Sequence, residues 1–346
     1  MVLYLIDTLR ADHLGCYGYE RPVSPHIDGF AGESVVFENT QAQAPWTRAS
    51  VASILTGLMP QVHGANDDPE ALTDQVDTLA EMLARAGYQT VAVTSNGNAG
   101  AAVGFSQGFD VFNHLRRARS DELNEAVFSW FETEYDPSRP FFLFVHTVDP
   151  HAPYEPPEPF RDRFAGSVAN SRLGTIASFQ ALNGRPDTVT DEVVSQIIDL
   201  YDAEIATNDH TFSVLLDKLR ALGVYDDSVV ILLSDHGEEF FEHRGWNHGK
   251  TLYAEQLDVP LIMKLPHTRS GRRIEEVVQH VDVLPTILDV CGLAPPSDIQ
   301  GRSLVQLLTA EAGDGWDNRS LSYLKLRGRE GTAFWEGRWK LIEMRS

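Results

Sequence analysis

The feature that most constrains the fold is a set of short apolar runs, each of which ends directly in polar residues. Residues 228–233 read SVVILL, residues 2–6 read VLYLI and residues 141–145 read FFLFV. Runs of this length are typical of strands that are buried on both faces of a sheet. Helical patterns lie between them, for example over residues 78–86 and 191–222. This alternation predicts a three-layer α/β/α sandwich around a mostly parallel sheet.

The last part of the chain follows a different pattern. Residues 332–342, TAFWEGRWKLI, predict a hairpin and therefore a small antiparallel addition to the sandwich. We predict a main α/β domain over residues 1–290 and a small C-terminal subdomain over residues 291–346, for which truncation is an open alternative. A variable insertion near residues 155–191 has weak periodicity and is expected to cover a site.

Charge and composition exclude several classes of protein. A net charge of −22 opposes broad contact with nucleic acid or an anionic membrane surface, although a small site can be locally positive and bind an anion. No apolar stretch reaches about 18 residues, so no membrane span is expected. Cys16 and Cys291 form no disulfide framework or zinc motif, and we interpret both as packing residues. Because the sequence can be incomplete at either end, compartment and export are left undecided. The sequence also does not give the oligomeric state.

Polar residues follow the ends of two of the apolar runs. Asp7 follows the first run, and Asp235 and His236 follow SVVILL. In open α/β sheets, ligands bind beyond the carboxyl ends of the strands. Two carboxylates and one imidazole can hold a divalent cation and leave coordination positions open. We therefore predict one cation held by Asp7, Asp235 and His236, with the hydroxyl of Thr47 as a fourth ligand.

Thr47 is the candidate nucleophile. Pro45 precedes it and a run of small residues follows, which places Thr47 at or near the start of a helix, where anions are favoured. A metal-bound threonine hydroxyl loses its proton more easily and becomes a nucleophile. The alternative is that Thr47 only caps the helix.

Three further polar residues complete a candidate catalytic set. His151, His248 and Lys250 are predicted to hold substrate oxygens or to protonate a leaving group, although His151 has the alternative of ordering its proline-rich loop. Such a set suits the hydrolysis of a tetrahedral anionic ester such as a phosphate or sulfate.

The chain resembles the sulfatases of the alkaline phosphatase superfamily over almost its whole length. The matching segments, in the family's order, are IDTLRADHLGCYG, APWTRASVASILTG, HTVDPHAPY, SDHGE and HGKTLYAEQLDVPLIM. The resemblance implies an alkaline phosphatase-like fold and metal ligands at Asp7, Asp235 and His236. It also implies that His151 and either His248 or Lys250 face the substrate.

The sequence departs from this family at the nucleophile. Sulfatases usually carry Cys or Ser in a C/S-x-P-S-R motif that is oxidised to formylglycine, whereas residues 47–51 read TRASV. Threonine cannot follow that route, so no formylglycine is expected, and Arg48 is expected to supply charge where the motif's arginine is replaced by Val51. Ser95 and Asn96 stand where many members carry Lys-x-His, and we expect both to contact the substrate.

The resemblance also bears on the metal. His236 stands where calcium-type sulfatases have Asn, which moves the expected cation from Ca²⁺ or Mg²⁺ toward Mn²⁺ or Zn²⁺. Two-metal members use an additional Asp and two His, so Asp149, His151 and His248 are an alternative second site. We favour the version with one cation.

These residues predict a metal-dependent hydrolase that acts on a small anionic ester through Thr47. The departures favour phosphate or phosphonate esters over sulfate. Two alternatives stay open. One is a transferase that passes a phospho-group to an acceptor other than water, and the other is a non-catalytic binding protein that keeps the fold.

Overall fold

The computed structural model of the protein describes residues 1–269, 271–309 and 315–345. Residues 310–314 and 346 of the predicted C-terminal subdomain lie outside the described residues. The strands are β1 (Val2–Ile6), β2 (Val35–Gln41), β3 (Gln89–Thr94), β4 (Val111–His114), β5 (Phe141–Thr147), β6 (Val230–Ser234), β7 (Glu239–Phe240), β8 (Trp246–Asn247), β9 (Asp258–Lys264), β10 (Arg272–Gln279), β11 (Arg319–Leu326), β12 (Arg329–Glu336) and β13 (Trp339–Arg345). The helices are α1 (Pro25–Ala31), α2 (Thr47–Thr56), α3 (Pro60–His63), α4 (Leu79–Arg85), α5 (Ser120–Thr133), α6 (Phe160–Ala165), α7 (Ile176–Asn183), α8 (Asp191–Ala221), α9 (Ala254–Leu257), α10 (Val283–Val290) and α11 (Val305–Thr309).

Eight of the strands form one sheet in the order β10-β2-β9-β6-β1-β5-β3-β4. The neighbouring strands are parallel except where β9 pairs with β2 and with β6. Strands β11, β12 and β13 form a separate antiparallel sheet. The predicted fold class is confirmed, including the small antiparallel addition.

The central strands are apolar throughout because their side chains alternate between two cores. In β1, Val2, Tyr4 and Ile6 belong to the cluster that includes side chains of α5 and α8. Leu3 and Leu5 belong to the opposite cluster, which includes side chains of α2 and α10. Both faces of β1 are therefore covered by helices, which makes the sandwich three layers deep.

Four adjacent strands, β6, β1, β5 and β3, end at nearly the same level of the sheet. Ile6 of β1 pairs with Ser234 of β6 and with Thr147 of β5, while Thr94 of β3 pairs with His146. Because these strands are parallel, the residues that follow them lie side by side along one edge. This register brings segments that are distant in sequence together at one edge of the sheet.

The sequence patterns missed strands in which polar residues are frequent. Strand β10 reads RRIEEVVQ and lies at one edge of the sheet, while β4, with four residues, lies at the other. Strand β11 extends the predicted hairpin to three strands. Helices α6 and α7 lie in the region of the predicted insertion. No described helix is both long enough and apolar enough to cross a membrane. The division of the chain at residue 290 remains a prediction.

Replacement of Leu232 by alanine tests the packing of β6. Leu232 is fully buried in the middle of the sheet, so Leu232→Ala is expected to lower the free energy of unfolding by about 3 kcal/mol, as measured by urea denaturation. The control is Leu341→Ala in β13, where the side chain is 68% exposed and the expected change is below about 0.5 kcal/mol. Equal losses in the two variants would contradict the assignment of β6 to the core.

Candidate active site

The candidate site is built on the ends of β1 and β6. Asp7 directly follows β1, Asp235 and His236 directly follow β6, and all three side chains are fully buried. Nε2 of His236 lies 3.6 Å from Oδ1 of Asp7 and 3.5 Å from Oδ2 of Asp235. Within the described ranges, these are the only three residues of the Asp, Glu, His and Cys types whose ligand atoms all lie within 4.8 Å of one another.

The free atoms of this cluster fit a divalent cation. Oδ1 of Asp7 and Oδ2 of Asp235 are buried and have no hydrogen-bond partner among the described residues. Nδ1 of His236 lies 2.9 Å from the carbonyl oxygen of Gly237, which assigns the ring hydrogen to Nδ1 and leaves the Nε2 lone pair for a cation. Two carboxylate oxygens and one imidazole nitrogen suit Zn²⁺ or Mn²⁺.

Burial sets the electrostatics of the same three side chains. It raises the pKa of Asp7, with a further contribution from the nearby charge of Asp235, and it also raises the pKa of Asp235. It lowers the pKa of His236 well below the usual value, so the imidazole is neutral. A positive ion between the carboxylates would compensate the charge that burial disfavours.

Thr47 is presented to this cluster by the first turn of α2. It is the first helical residue, and the capping position belongs to Trp46, so Thr47 does not cap the helix. Its Oγ1 lies 3.3 Å from Nε2 of His236 and accepts a hydrogen bond of 3.3 Å from Nδ2 of Asn96. The same amide donates to Oδ2 of Asp7. Thr47 and Asn96 therefore both join the cluster.

His248 and His151 lie next to His236. The ring centre of His248 is 4.3 Å from that of His236 and 5.0 Å from that of His151. Nδ1 of His248 lies 3.0 Å from Oε1 of Glu238, and Nδ1 of His151 lies 2.6 Å from the carbonyl oxygen of Ala152. Burial lowers the pKa of His248 to about 3 and that of His151 to about 4. Both rings are thus neutral at pH 7.

The two basic side chains that were predicted to act on the substrate, those of Lys250 and Arg48, make polar contacts within the protein. Nζ of Lys250 donates to the carbonyl oxygen of Trp246 at 2.7 Å, and burial lowers the pKa of this lysine. The guanidinium of Arg48 donates to the carbonyl oxygen of Glu70 and pairs with Asp68, each at 2.6 Å. These contacts tie Arg48 to the loop after α3, and its contact with substrate remains a prediction.

Strands β3 and β5 contribute residues beside the cluster. Ser95 is buried and its hydroxyl donates to the carbonyl oxygen of His146 at 3.3 Å. Both ring nitrogens of His146 lack a hydrogen-bond partner among the described residues, and Nε2 lies 3.9 Å from Oδ2 of Asp235. The sequence reasoning did not propose His146 for the site. The sequence signal that could have identified His146 is its position directly after the apolar run FFLFV.

The two-cation alternative requires Asp149, His151 and His248 to share an ion. Oδ2 of Asp149 instead accepts a hydrogen bond from the backbone nitrogen of Ser120 at 3.0 Å. These three residues do not form a ligand cluster in the part of the chain that the structure describes. The geometry favours a single cation.

Helix α8 supports two of the loops that form the site. The hydroxyl of Tyr201 donates to the carbonyl oxygen of Thr8 at 2.7 Å, directly after Asp7. Nδ2 of Asn208 donates to Oγ1 of Thr147 at 2.8 Å and to the carbonyl oxygen of Asp149 at 2.9 Å. The loops that follow β1 and β5 are therefore tied to the same helix.

A cavity of about 430 Å³ opens beside Asn96 and His151. This volume is sufficient for a small organic ligand. Its walls come from the loops after β3, β4 and β5 and from α8. The charged or titratable side chains of the lining, besides His151, are those of Arg116, Arg117, Arg119, Asp149, Glu155 and Glu204.

The sequence reasoning also missed Glu238 and the arginines of the cavity. Glu238 is fully buried, holds His248 and accepts a hydrogen bond of 3.3 Å from the hydroxyl of Tyr154. Its position within SDHGE, just past the end of β6, was an available signal. Arg116 and Arg117 follow β4, which was not predicted, so no signal in the sequence placed them near the site.

The fold and the site together define a class of protein, the metal-dependent ester hydrolases. The family model described as sulfatase matches residues 1–293. An arylsulfatase of Clostridium perfringens is 24% identical over 89% of this chain and 78% of its own length. An N-acetylglucosamine-6-O-sulfatase of Bacteroides thetaiotaomicron is 22% identical over 93% of this chain and 73% of its own length.

Among solved structures, the phosphonate monoester hydrolase of Agrobacterium radiobacter is similar to this chain, with a TM-score of 0.82 and 20% identity. The similarity covers 99% of this chain and 86% of that one. The chain belongs to the sulfatase family, a family of metal-dependent hydrolases. The predicted family and the predicted class of enzyme are confirmed. The identity of the metal and the roles of the individual residues remain predictions.

Replacement of Glu204 by glutamine tests the electrostatics of the cavity. Burial raises the pKa of Glu204 to about 8 from an ordinary value of 4.5. The folded protein therefore binds this proton more tightly than the unfolded chain, and its contribution to stability is lost as pH rises through about 8. Glutamine cannot ionise and keeps an acceptor for the backbone nitrogen of Glu155, which lies 2.6 Å from Oε1. The free energy of unfolding of Glu204→Gln relative to wild type should rise by at least about 1 kcal/mol between pH 5 and pH 9.

The measurement is urea denaturation at both pH values. Glu125→Gln, at an exposed position of α5, is the control and should show no such change. A difference between Glu204→Gln and wild type that does not depend on pH would refute the raised pKa.

Proposed function

We propose that the protein hydrolyses a small anionic ester of the phosphate or phosphonate type, with Thr47 as the nucleophile, and that sulfate esters are poorer substrates. The observation that carries this proposal is the position of Oγ1 of Thr47, at the start of α2 and 3.3 Å from Nε2 of His236. A hydroxyl in this position is close to the candidate cation ligands and to the positive end of a helix. Both favour a nucleophilic oxygen and the anion that it attacks.

We infer that one divalent cation is held by Asp7, Asp235, His236 and the hydroxyl of Thr47, and that Mn²⁺ or Zn²⁺ is preferred to Mg²⁺ or Ca²⁺. When bound, the cation would supply positive charge that lowers the pKa of the threonine hydroxyl and stabilises negative charge on the ester. The two unpartnered carboxylate oxygens and the unprotonated Nε2 of His236 support this ligand set.

Hydrogen bonds from neighbouring groups orient these side chains. The amide of Asn96 donates to Thr47 and to Asp7, which fixes the direction of the hydroxyl. The backbone nitrogens of Thr8 and His236 donate to Oδ1 of Asp235 at 3.2 and 2.8 Å. Only Oδ2 of Asp235 is then left for a cation. This preorganisation lowers the cost of arranging the site during the reaction.

In the proposed reaction, Oγ1 of Thr47 loses its proton to solvent and attacks phosphorus, an ester to the threonine forms, and the bond to the alcohol leaving group breaks. His151 and His248 are the proposed proton donors to the leaving oxygen. The negative charge of a bound ester would raise the pKa of both histidines from the low values that burial imposes. Glu238 fixes the orientation of His248, and Lys250 contributes positive charge. Water then hydrolyses the ester to Thr47.

The identity of the nucleophile supports the substrate preference. Threonine carries a secondary alcohol, so its oxidation would give a ketone and not the aldehyde of formylglycine. The hydroxyl of Thr47 must therefore act directly, through an ester that water can cleave. A neighbour in fold that is named a phosphonate monoester hydrolase is consistent with such substrates.

Replacement of Asp235 by asparagine tests the cation site. Asparagine keeps Oδ1 as an acceptor for the two backbone nitrogens but removes the negative charge from the atom that faces the cluster. Wild type is expected to bind one equivalent of Mn²⁺ or Zn²⁺, and Asp235→Asn to bind it at least about tenfold more weakly. Calorimetric titration and elemental analysis after dialysis measure both quantities.

The matched control is Asp226→Asn, in which an exposed carboxylate paired with Arg269 is lost. It should bind the metal as wild type does. The cation site is refuted if wild type binds no stoichiometric metal or if Asp235→Asn binds it with unchanged affinity.

Replacement of Thr47 by alanine and by serine tests the nucleophile. Thr47→Ala removes the attacking oxygen and should lower kcat on the order of 10³-fold, whereas Thr47→Ser keeps a hydroxyl and should retain activity within about tenfold. Purified protein with added Mn²⁺ or Zn²⁺ would be assayed against aryl phosphate monoesters, diesters, phosphonate monoesters and sulfates. Melting temperatures of both variants show whether the fold is kept.

Full activity of Thr47→Ala would show that another group is the nucleophile. Fastest turnover of the sulfate would overturn the substrate preference. Absence of turnover with all four esters would overturn the proposed function.

A further inference from the structure

An arginine pair stands at the tip of a turn on the wall of the cavity. Arg116 and Arg117 lie between Leu115 and Ala118, and the backbone nitrogen of Ala118 donates to the carbonyl oxygen of Leu115 at 2.9 Å. Both arginines line the cavity that also reaches Asn96. Since Asn96 donates to Oγ1 of Thr47, the cavity adjoins the candidate nucleophile.

The turn is fastened to the end of β3, the strand that delivers Ser95 to the site. The backbone nitrogen of Leu115 donates to the carbonyl oxygen of Thr94 at 2.8 Å, and that of Arg117 donates to the carbonyl oxygen of Ser95 at 2.9 Å. These bonds fix the position of the turn relative to the site. The two guanidinium groups are therefore carried by an anchored segment beside the cluster.

The backbone of Arg117 is in an unfavourable conformation. Its φ of +57° lies in the left-handed region, which a side chain with a Cβ atom rarely adopts. Non-glycine residues held in this region concentrate at functional sites, where the surrounding structure compensates the strain. Arginine at this position thus points to a role that a glycine would not fill.

The guanidinium groups of the pair are not neutralised by the protein. In the part of the chain that the structure describes, neither Arg116 nor Arg117 has a side-chain hydrogen bond, an ion pair or an aromatic contact. Arg119 is paired with the exposed carboxylate of Asp121 at 3.3 Å. The charge of Arg116 and Arg117 is therefore available to an anion that enters the cavity.

Among the described residues, none of the acidic residues of the cavity pairs with Arg116 or Arg117. Burial raises the pKa of the Glu204 carboxyl to about 8, which favours its neutral form at pH 7. Burial raises the pKa of Asp149, which accepts a hydrogen bond from the backbone nitrogen of Ser120. Glu155 is exposed at the rim. The arginine pair therefore places positive charge on the wall of the cavity that also includes Asn96.

We propose that Arg116 and Arg117 bind a second anionic group, carried by the alcohol portion of the substrate. This inference rests on the proposed function, since it takes the ester group to be held at Thr47 and the alcohol portion to extend past Asn96 into the cavity. The substrate class is then an ester whose leaving group bears a carboxylate, sulfate or phosphate. The planar fork of arginine, with its two parallel donors, matches the oxygen pairs of these groups.

The first experiment compares two esters that differ only in this second group. Wild type, Arg116→Gln/Arg117→Gln and the control Arg338→Gln are assayed with 4-carboxyphenyl phosphate and 4-carbamoylphenyl phosphate in the presence of Mn²⁺. Arg338 lies at the exposed turn between β12 and β13. We expect wild type and the control to prefer the carboxylate ester in kcat/KM by about tenfold or more. The double variant should lose this preference.

The second experiment is independent of turnover. Calorimetric titrations with 4-sulfobenzoate and 4-sulfobenzamide, which are not hydrolysed, measure whether a second anionic group contributes to binding. Wild type and Arg338→Gln should bind 4-sulfobenzoate about tenfold more tightly than the amide, and the double variant should bind both equally.

The outcomes separate the two proposals. If wild type hydrolyses both esters equally, or if the double variant keeps the preference, the arginine pair does not bind a second anion, while the proposed hydrolase function stands. If neither ester is hydrolysed, the proposed function fails for these substrates and the titrations decide on the arginine pair. Equal affinity of wild type for the two sulfonates then overturns the inference.

Discussion

Two carboxylates are buried at the ends of adjacent parallel strands, and this constraint determines the rest of the site. Asp7 and Asp235 are fully buried, and each has one oxygen without a partner among the described residues. Charge in such a position is strongly disfavoured unless an opposite charge compensates it. The amide of Asn96, which donates to Asp7, and the positive end of α2 offset part of this cost. The pairing of β1 with β6 brings the two carboxylates together, because the parallel register sets both strand ends at one level.

The fold and the centre of the site were predictable because both depend on local sequence signals. Apolar runs that are buried on both faces identify β1, β5 and β6, and the polar residues that follow them identify Asp7 and Asp235. Strand β10 was missed because an edge strand with one polar face carries no continuous apolar run. His146 was not selected because its role depends on the direction of one side chain at a strand end, which periodicity does not specify.

Other parts of the site depend on tertiary contacts that leave no pattern in sequence. Arg48 was expected to supply charge in place of the motif's arginine. Its guanidinium contacts Asp68 and Glu70, on the loop after α3, and a contact with substrate remains a prediction. The arginine turn is near the site only because β4 pairs with β3. The net charge of the chain argues against large anionic partners, but it does not describe a cavity in which arginines and buried carboxyl groups lie together. Local placement of charge, and not its sum, determines which small anions can bind.

Helix α8 has 31 residues and therefore a length of about 46 Å. Tyr201 anchors the loop after β1, and Asn208 anchors the loop after β5. Two neighbouring loops of the candidate site are thus supported by one helix. A displacement of α8 along its axis would move both loops in the same direction and largely preserve the distance between them. Loss of the hydrogen bonds of either side chain would instead let one loop move while the other stayed in place. The spacing of the site is therefore protected against movement of the whole helix and sensitive to the loss of either attachment.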